Sequence, residues 1–184
     1  MFIRTPIHPP PPPARSGMSL SRMASPTQMP DTRSVAASRF TAGWGDMDFN
    51  GHMRNTAYLD KAADARLRFF ARNGFPMEEF QRQGFGPVVQ RDCIHYYREV
   101  RLLESIEVGV ELAGLSPSGD RFVIRNTFQR DDGVLLARVD SAGGWLDLRQ
   151  RRLIAPPADL LDALRSLPRC KDFEVLAPSI KQAA

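Results

Sequence analysis

The sequence has few cysteines, few histidines and no long apolar run. Its two cysteines, Cys93 and Cys170, form no metal-binding or redox motif. We therefore interpret both as reduced thiols of a cytoplasmic protein, without a disulfide. No apolar segment reaches the roughly 18 to 20 residues of a membrane span, and the N-terminus lacks the apolar core of a secretory signal. These absences predict a protein without a membrane span or a metal.

The chain is mildly basic, with a formal net charge of +4 over 184 residues. Such a charge attracts polyanions, but aromatic and basic residues do not interleave as they do in single-strand nucleic-acid binders. We therefore predict no nucleic-acid partner. Most of the basic residues are arginines, which bind phosphate groups bidentately, so a small molecule that carries phosphates suits the charge equally well.

Composition divides the chain into three parts. Residues 1–34 contain the run Pro9–Pro13, and proline disfavours both helices and central strands, so we predict a disordered tail there. Residues 35–168 have the size and patterning of one folded domain. Residues 169–184 are interpreted as a C-terminal extension.

One long helix is predicted over Thr56–Arg72, where apolar and small residues recur at helical spacing. Asn73-Gly74 ends it, since both residues tolerate the left-handed conformation. The alanines of this helix allow close approach, so we expect it to be buried in the core.

Four strands are predicted after Pro87, where apolar residues alternate with polar ones. Asp131-Asp132-Gly133 indicates a hairpin between the last two, and Gly143-Gly144 a bulge or bend in the final strand. A short amphipathic helix follows over Ala158–Leu167. Together with a short strand before the long helix, this order predicts an α+β fold with an antiparallel sheet wrapped around one helix.

The segment from Trp44 to Tyr58, WGDMDFNGHMRNTAY, places carboxylates and a glycine turn directly before the long helix. It resembles the signature of the 4-hydroxybenzoyl-CoA thioesterase-like family of hotdog proteins. Asp64-Ala65-Arg66 and Phe69-Phe70 match the continuation of that signature, and the resemblance covers about residues 38–165.

The resemblance implies a hotdog fold, in which a five-stranded antiparallel sheet wraps around one long helix, with a short C-terminal helix here. It also implies an acyl-CoA thioesterase without a cofactor, and acyl carrier protein is the alternative carrier of the acyl group. Hotdog proteins pair their sheets across a subunit boundary, so a homodimer or homotetramer is expected. The alternative function is a non-catalytic protein of the same fold that binds acyl-CoA or an acyl carrier.

Two residues receive catalytic roles from the resemblance. Asp48 matches the catalytic carboxylate, which acts as general base or as nucleophile. Asn55 matches the position whose backbone N–H polarises the thioester carbonyl, and the start of a helix is suited to this because its first N–H groups are free. The spacing leaves open which of the two roles Asp48 takes.

Four further residues are predicted to bind substrate: Gly51, His52, Arg54 and Tyr58. Each has a structural alternative: Gly51 permits the turn, His52 shapes it, and Tyr58 packs in the core. Arg54 stands where the family often has asparagine, and solvent, a second subunit or a coenzyme A phosphate are its candidate contacts.

Three other groups of charged residues are interpreted as mainly structural. Asp46 is expected to hold the loop through backbone N–H groups. Asp64 and Arg66 are expected to form an ion pair or a subunit contact. Arg149, Arg151 and Arg152 are candidates for nucleotide phosphates, although a solvated charge run is favoured.

Overall fold

The computed structural model describes residues 36–179, which fold as a sheet against one long helix. The strands are β1 Ser38–Thr41, β2 Phe85–Tyr96, β3 Ser105–Leu115, β4 Arg121–Arg130, β5 Leu135–Asp147, β6 Leu153–Ile154 and β7 Arg169–Val175. The helices are α1 Asn55–Arg72, α2 Met77–Gln83 and α3 Ala158–Arg165. The predicted tail, residues 1–34, lies outside the described residues. Within the described part, no helix is both long and apolar enough to cross a membrane.

Five strands form an antiparallel sheet in the order β1-β3-β4-β5-β2, which confirms the predicted architecture. Two short strands extend it: β6 pairs with β5, and β7 runs parallel to β3. Strand β1 pairs only with the first part of β3, up to Val108, and β7 pairs with Leu112–Leu115. Strand β7, which belongs to the predicted C-terminal extension, therefore pairs with the part of β3 that the short β1 does not reach.

Helix α1 is buried against the sheet, as its alanines predicted. Ala57, Ala62 and Ala65 are at most 1% exposed. Small side chains bring the helix backbone close to the strands, so the large apolar residues of β3 and β4 fill the remaining space. The helix begins at Asn55 and ends at Arg72, and the φ angle of +87° at Gly74 shows the left-handed turn that follows.

An aromatic cluster closes one end of the core and includes a helix that the sequence analysis did not predict. Phe80 of α2 stacks on Trp145 with ring centroids 6.2 Å apart, and it meets Phe70 edge-on at 5.9 Å. The glycine pair in β5 permits close strand contacts: a Cβ at Gly143 would lie 2.1 Å from the Val88 carbonyl oxygen. The paired strand, β2, shifts its register between Val89 and Arg91, next to the residues that pair with these glycines. The glycine pair therefore accommodates an irregular partner strand.

The expected ion pair between Asp64 and Arg66 is wrong. Asp64 is exposed, whereas Arg66 is buried, and its Nη1 donates to Asn126 Oδ1 and Ser141 Oγ, each at 2.8 Å. Helix geometry is the reason, because residues two apart point about 200° apart around the axis.

Strand β2 is an open edge of the sheet. It pairs with β5, and among residues 36–179 no strand pairs with its other side. Most of its second half is exposed on the surface. An unpaired edge of this length offers backbone N–H and C=O groups to another strand.

Candidate active site

The loop before α1 is anchored by Asp46, as the sequence analysis favoured. A 3₁₀ turn over Trp44–Asp46 places the Asp46 carboxylate where Oδ2 accepts from Gly43 N at 2.8 Å and from Lys61 Nζ at 2.7 Å. Burial by itself would raise the pKa of Asp46, but the bonds from Lys61 and Gly43 outweigh it and lower the pKa. The anchored carboxylate ties the loop to the second turn of α1.

The loop itself is a tight turn organised by Asp48. Its Oδ1 accepts from Asn50 N at 2.8 Å and from His52 N at 3.1 Å, while its own N–H donates to His52 O at 2.8 Å. Gly51 has a φ angle of +77°, which a residue with a side chain adopts only with strain. The His52 N–H, followed by the Asn50 N–H, lowers the pKa of Asp48, so this carboxylate is ionised at neutral pH.

At the start of α1, the N–H group of Asn55 is open. Asn55 Oδ1 accepts from Thr56 N at 2.9 Å, and Ala57 N donates to Arg54 O at 3.0 Å. Among residues 36–179, no acceptor takes the Asn55 N–H. An open N–H at a helix start carries the positive end of the helix dipole and binds a developing negative charge.

Asp48 and Asn55 line one open pocket of about 400 Å³. Its walls come from the loop, from the first turn of α1 and from the end of β2 with the residues that follow it. The lining residues are Asp48, His52, Met53, Asn55, Tyr58, Tyr96, Tyr97, Arg98 and Glu99. The residue with the ionised carboxylate and the residue with the open helical N–H therefore both line this pocket.

Tyr58 belongs both to the core and to the pocket wall. It is buried, and its ring lies edge-on to Tyr96 at 5.2 Å and to Phe128 at 5.3 Å. Burial, reinforced by Tyr96 and Glu104, raises the pKa of Tyr58 to about 12. The hydroxyl therefore stays protonated and can act only as a neutral hydrogen-bonding group near the pocket.

His52 is held by a residue that the sequence analysis did not select. Its Nε2 lies 2.9 Å from Glu99 Oε2, and the other oxygen of Glu99 accepts from Arg101 Nε at 3.0 Å. A hydrogen bond from Arg101, and then the charge of His52, lowers the pKa of Glu99. The carboxylate therefore fixes the imidazole ring at the pocket wall.

The structure brings Asp48, His52, Asn55 and Tyr58 together, but not Gly51 and Arg54. Gly51 forms the exposed turn, and the Arg54 side chain is half exposed, with Nη2 4.0 Å from Asp60 Oδ2. Neither residue lines the pocket.

The arginines after β5 also lie away from the pocket. Residue Asp147 pairs with Phe85 at the start of β2, whereas the pocket contacts Tyr96 at its end. These two positions are separated by roughly 35 Å at the usual rise per strand residue. Within a single chain, Arg149, Arg151 and Arg152 are therefore far from Asp48.

The sequence analysis missed Tyr97, Arg98 and Glu99 as pocket residues. The sequence pattern that could have identified them is a polar run directly after a strand, because loops at such positions carry binding side chains. Nothing in the sequence indicated that this strand end lies beside the start of α1. Among residues 36–179, no cluster of three or more His, Cys, Asp or Glu side chains has the arrangement of a metal site.

The sequence model of the Thioesterase-like superfamily matches residues 42–164, which include the Asp48 loop, α1 and the strands β2 to β5. The chain belongs to the thioesterase-like superfamily. This thioesterase is a thioester hydrolase with the hotdog fold, as the motif predicted. The match is to the broad superfamily and not to 4-hydroxybenzoyl-CoA enzymes in particular.

Solved structures share the fold of this thioesterase at low sequence identity. The 1,4-dihydroxy-2-naphthoyl-CoA thioesterase of Synechocystis is 16% identical with a TM-score of 0.64, and the match covers 71% of this chain and 96% of that one. A Staphylococcus aureus protein solved in complex with CoA is 18% identical with a TM-score of 0.65, covering 78% and 89%. A hypothetical protein from Thermus thermophilus is 25% identical with a TM-score of 0.64, covering 71% and 98%.

Proposed function

We propose that this thioesterase hydrolyses acyl-CoA, with Asp48 and the Asn55 N–H as its catalytic groups. One observation carries the proposal: Asp48, which bears an ionised carboxylate, and Asn55, whose helical N–H is open, line the same pocket. The proposal is consistent with the CoA bound in the related Staphylococcus aureus protein and with the CoA thioester substrate of the Synechocystis enzyme. Acyl carrier protein remains the alternative carrier.

In the proposed reaction, Asp48 acts on the attacking water, and the Asn55 N–H acts on the carbonyl oxygen of the thioester. As general base, Asp48 removes a proton from water while the water oxygen attacks the thioester carbon. The carbonyl oxygen becomes negative and accepts a hydrogen bond from the Asn55 N–H, which contributes about 3 kcal/mol to the transition state. The C–S bond then breaks, and the thiolate leaves with the electron pair and takes up a proton. As nucleophile, Asp48 would instead form an acyl anhydride that water hydrolyses.

The substitution Asp48→Asn tests this assignment, with Asp64→Asn as its matched control. Asp64 is an exposed carboxylate on α1, outside the pocket. Free thiol is measured with short, medium, long and aromatic acyl-CoAs. We expect Asp48→Asn to lower kcat at least about a hundredfold, the scale of a lost general base, while Asp64→Asn stays within about twofold. Near-normal turnover in Asp48→Asn would refute the assignment.

The same panel separates the enzyme from the non-catalytic alternative. A binding protein would release no thiol from any substrate, yet acyl-CoA would raise its melting temperature. Hydrolysis by the wild type that is lost in Asp48→Asn supports the enzyme.

We also propose a homo-oligomer whose subunits meet along β2. The unpaired edge and exposed surface of this strand favour pairing with a second copy. A two-fold axis makes the paired strands antiparallel, which would bring the turn at Arg149 of one protomer towards the Asp48 pocket of its partner. That arrangement would restore a phosphate-binding role for these arginines. Sedimentation at micromolar concentration tests the oligomer, and a monomer would contradict it.

A further inference from the structure

A second cavity lies beside the middle of α1 and shares no lining residue with the Asp48 pocket. Its volume is about 160 Å³, and its surface is mostly apolar. Ala63, Leu67 and Phe70 of α1 face Val89 of β2 and Phe122 of β4 across it. An apolar cavity of about 150 Å³ holds one benzene ring, so the space suits a single ring or a short branched chain.

The polar part of the cavity wall is Arg66, which is only 9% exposed. Its Nη1 is bound on both sides by Asn126 and Ser141. Among residues 36–179, no acceptor takes a hydrogen bond from Nε or Nη2. Both nitrogens keep some accessible surface, so an acceptor from outside the chain can reach them.

The positive charge of Arg66 has no direct counter-ion among the described residues. Its closest connection to a carboxylate runs through Ser141, whose Oγ donates to Asp92 Oδ1 at 2.5 Å. Burial lowers the pKa of Arg66, and the charge of Asp92 only partly opposes this. Arg66 therefore brings a mostly buried guanidinium, with two nitrogens that no described residue binds, to the wall of an apolar space.

We propose that this cavity binds a small organic carboxylate with an apolar body. The body fills the space beside Phe70 and Phe122, and the carboxylate oxygens accept from Nε and Nη2 of Arg66. A planar guanidinium offers two parallel N–H donors that match a carboxylate bidentately. A neutral apolar molecule would leave these donors unbound, and a free phosphate would leave the apolar walls uncovered. The proposal does not depend on the chemistry of Asp48.

Benzoate is the probe, and isothermal titration calorimetry on the full chain is the measurement. Benzyl alcohol supplies the ring without the charge, and acetate supplies the charge without the ring. We expect benzoate to bind at least tenfold more tightly than either. The same affinity is expected in Asp48→Asn, so failure of the proposed hydrolysis would leave this result unchanged.

Two substitutions locate the site. Arg66→Lys keeps the charge but loses the paired donors, so it should weaken benzoate binding at least tenfold. The control Arg68→Lys changes an exposed arginine of the same helix and should leave benzoate binding unchanged. Because Arg66→Lys also disturbs buried hydrogen bonds, Ala63→Phe provides a second test that leaves the Arg66 side chain unaltered. It fills the cavity and should abolish binding. Equal binding of benzyl alcohol, or benzoate binding that survives Ala63→Phe, would overturn the proposal. So would an absence of benzoate binding.

Discussion

The ion pair between Asp46 and Lys61 gives the most direct test of how the Asp48 loop is held. The substitution Asp46→Asn retains the shape and one oxygen of the side chain but removes its charge. The Lys61 ammonium then keeps a position that is 11% exposed, 2.7 Å from an atom that no longer carries a charge. Removing one partner of a fully buried pair costs about 3–5 kcal/mol. Since Asp46 is 21% exposed and water can partly replace it, we expect a loss of about 2 kcal/mol.

Urea denaturation measures this loss, and the melting temperature provides a second readout. For a domain of this size, about 2 kcal/mol corresponds to a decrease in Tm of roughly 4–8 °C. The matched control is the cycle with Lys61→Met and the double variant. If the ion pair is the cause, the stability losses of the two single variants add up to more than the loss of the double variant. The difference should be about 1–2 kcal/mol. Additive losses would refute the reasoning, because the two side chains would then act independently.

The pH dependence of this loss follows from the lowered pKa of Asp46. A carboxylate whose pKa is lower in the folded state than its ordinary value of 3.8 stabilises the fold above that value, and this stabilisation disappears as the pH falls through the folded value. The stability difference between wild type and Asp46→Asn should therefore stay level from about pH 5 to pH 8. It should shrink at more acidic pH, and a difference that grows on acidification would contradict the assignment.

Three further predictions concern the core and the site. Gly143→Ala places a methyl group 2.1 Å from the Val88 carbonyl oxygen and should lower the free energy of unfolding by about 3 kcal/mol. The control Gly45→Ala, where no atom lies within 4 Å of the added methyl group, should change it by less than about 0.5 kcal/mol. Equal effects of the two substitutions in urea denaturation would contradict this prediction. Phe80→Ala should cost about 3–5 kcal/mol in the same assay because its ring is 2% exposed within an aromatic cluster, and a loss below about 1 kcal/mol would show that the cluster collapses around the gap. Because hydrogen bonds lower the pKa of Asp48, kcat/KM should show no acid limb from Asp48 between about pH 5 and pH 8; a limb in this range that disappears in Asp48→Asn would contradict the lowered pKa.

Local rules identified the elements of the fold well. Helical spacing gave α1 to within one residue of its start, and the glycine signals gave its end and the hairpin at Asp131-Asp132-Gly133. Helix α2 and strand β7 were not predicted, because each is short and depends on distant partners. Phe80 in α2 packs on Trp145, and β7 occupies an edge of β3 that only the shortness of β1 leaves free.

The candidate site was predicted in part. The motif identified Asp48 and Asn55 because both lie in one short segment, where chain connectivity alone keeps them close. It could not show that Tyr97 and Glu99 complete the pocket, since these residues reach it through the pairing of β2 with β5. Arg66 was misread for the same reason: its partners, Asn126 and Ser141, lie on strands that follow much later in the chain.

The sequence by itself therefore determined the superfamily, the order of the main elements and the loop that carries the carboxylate. These depend on periodicity, turn chemistry and contacts between residues close in the chain. Only the tertiary structure decided which strand end faces the start of α1, and where a buried guanidinium meets an apolar cavity. Contacts of this kind join residues that are far apart in the chain, so no local pattern records them, and they arise only when the strands pair around the helix.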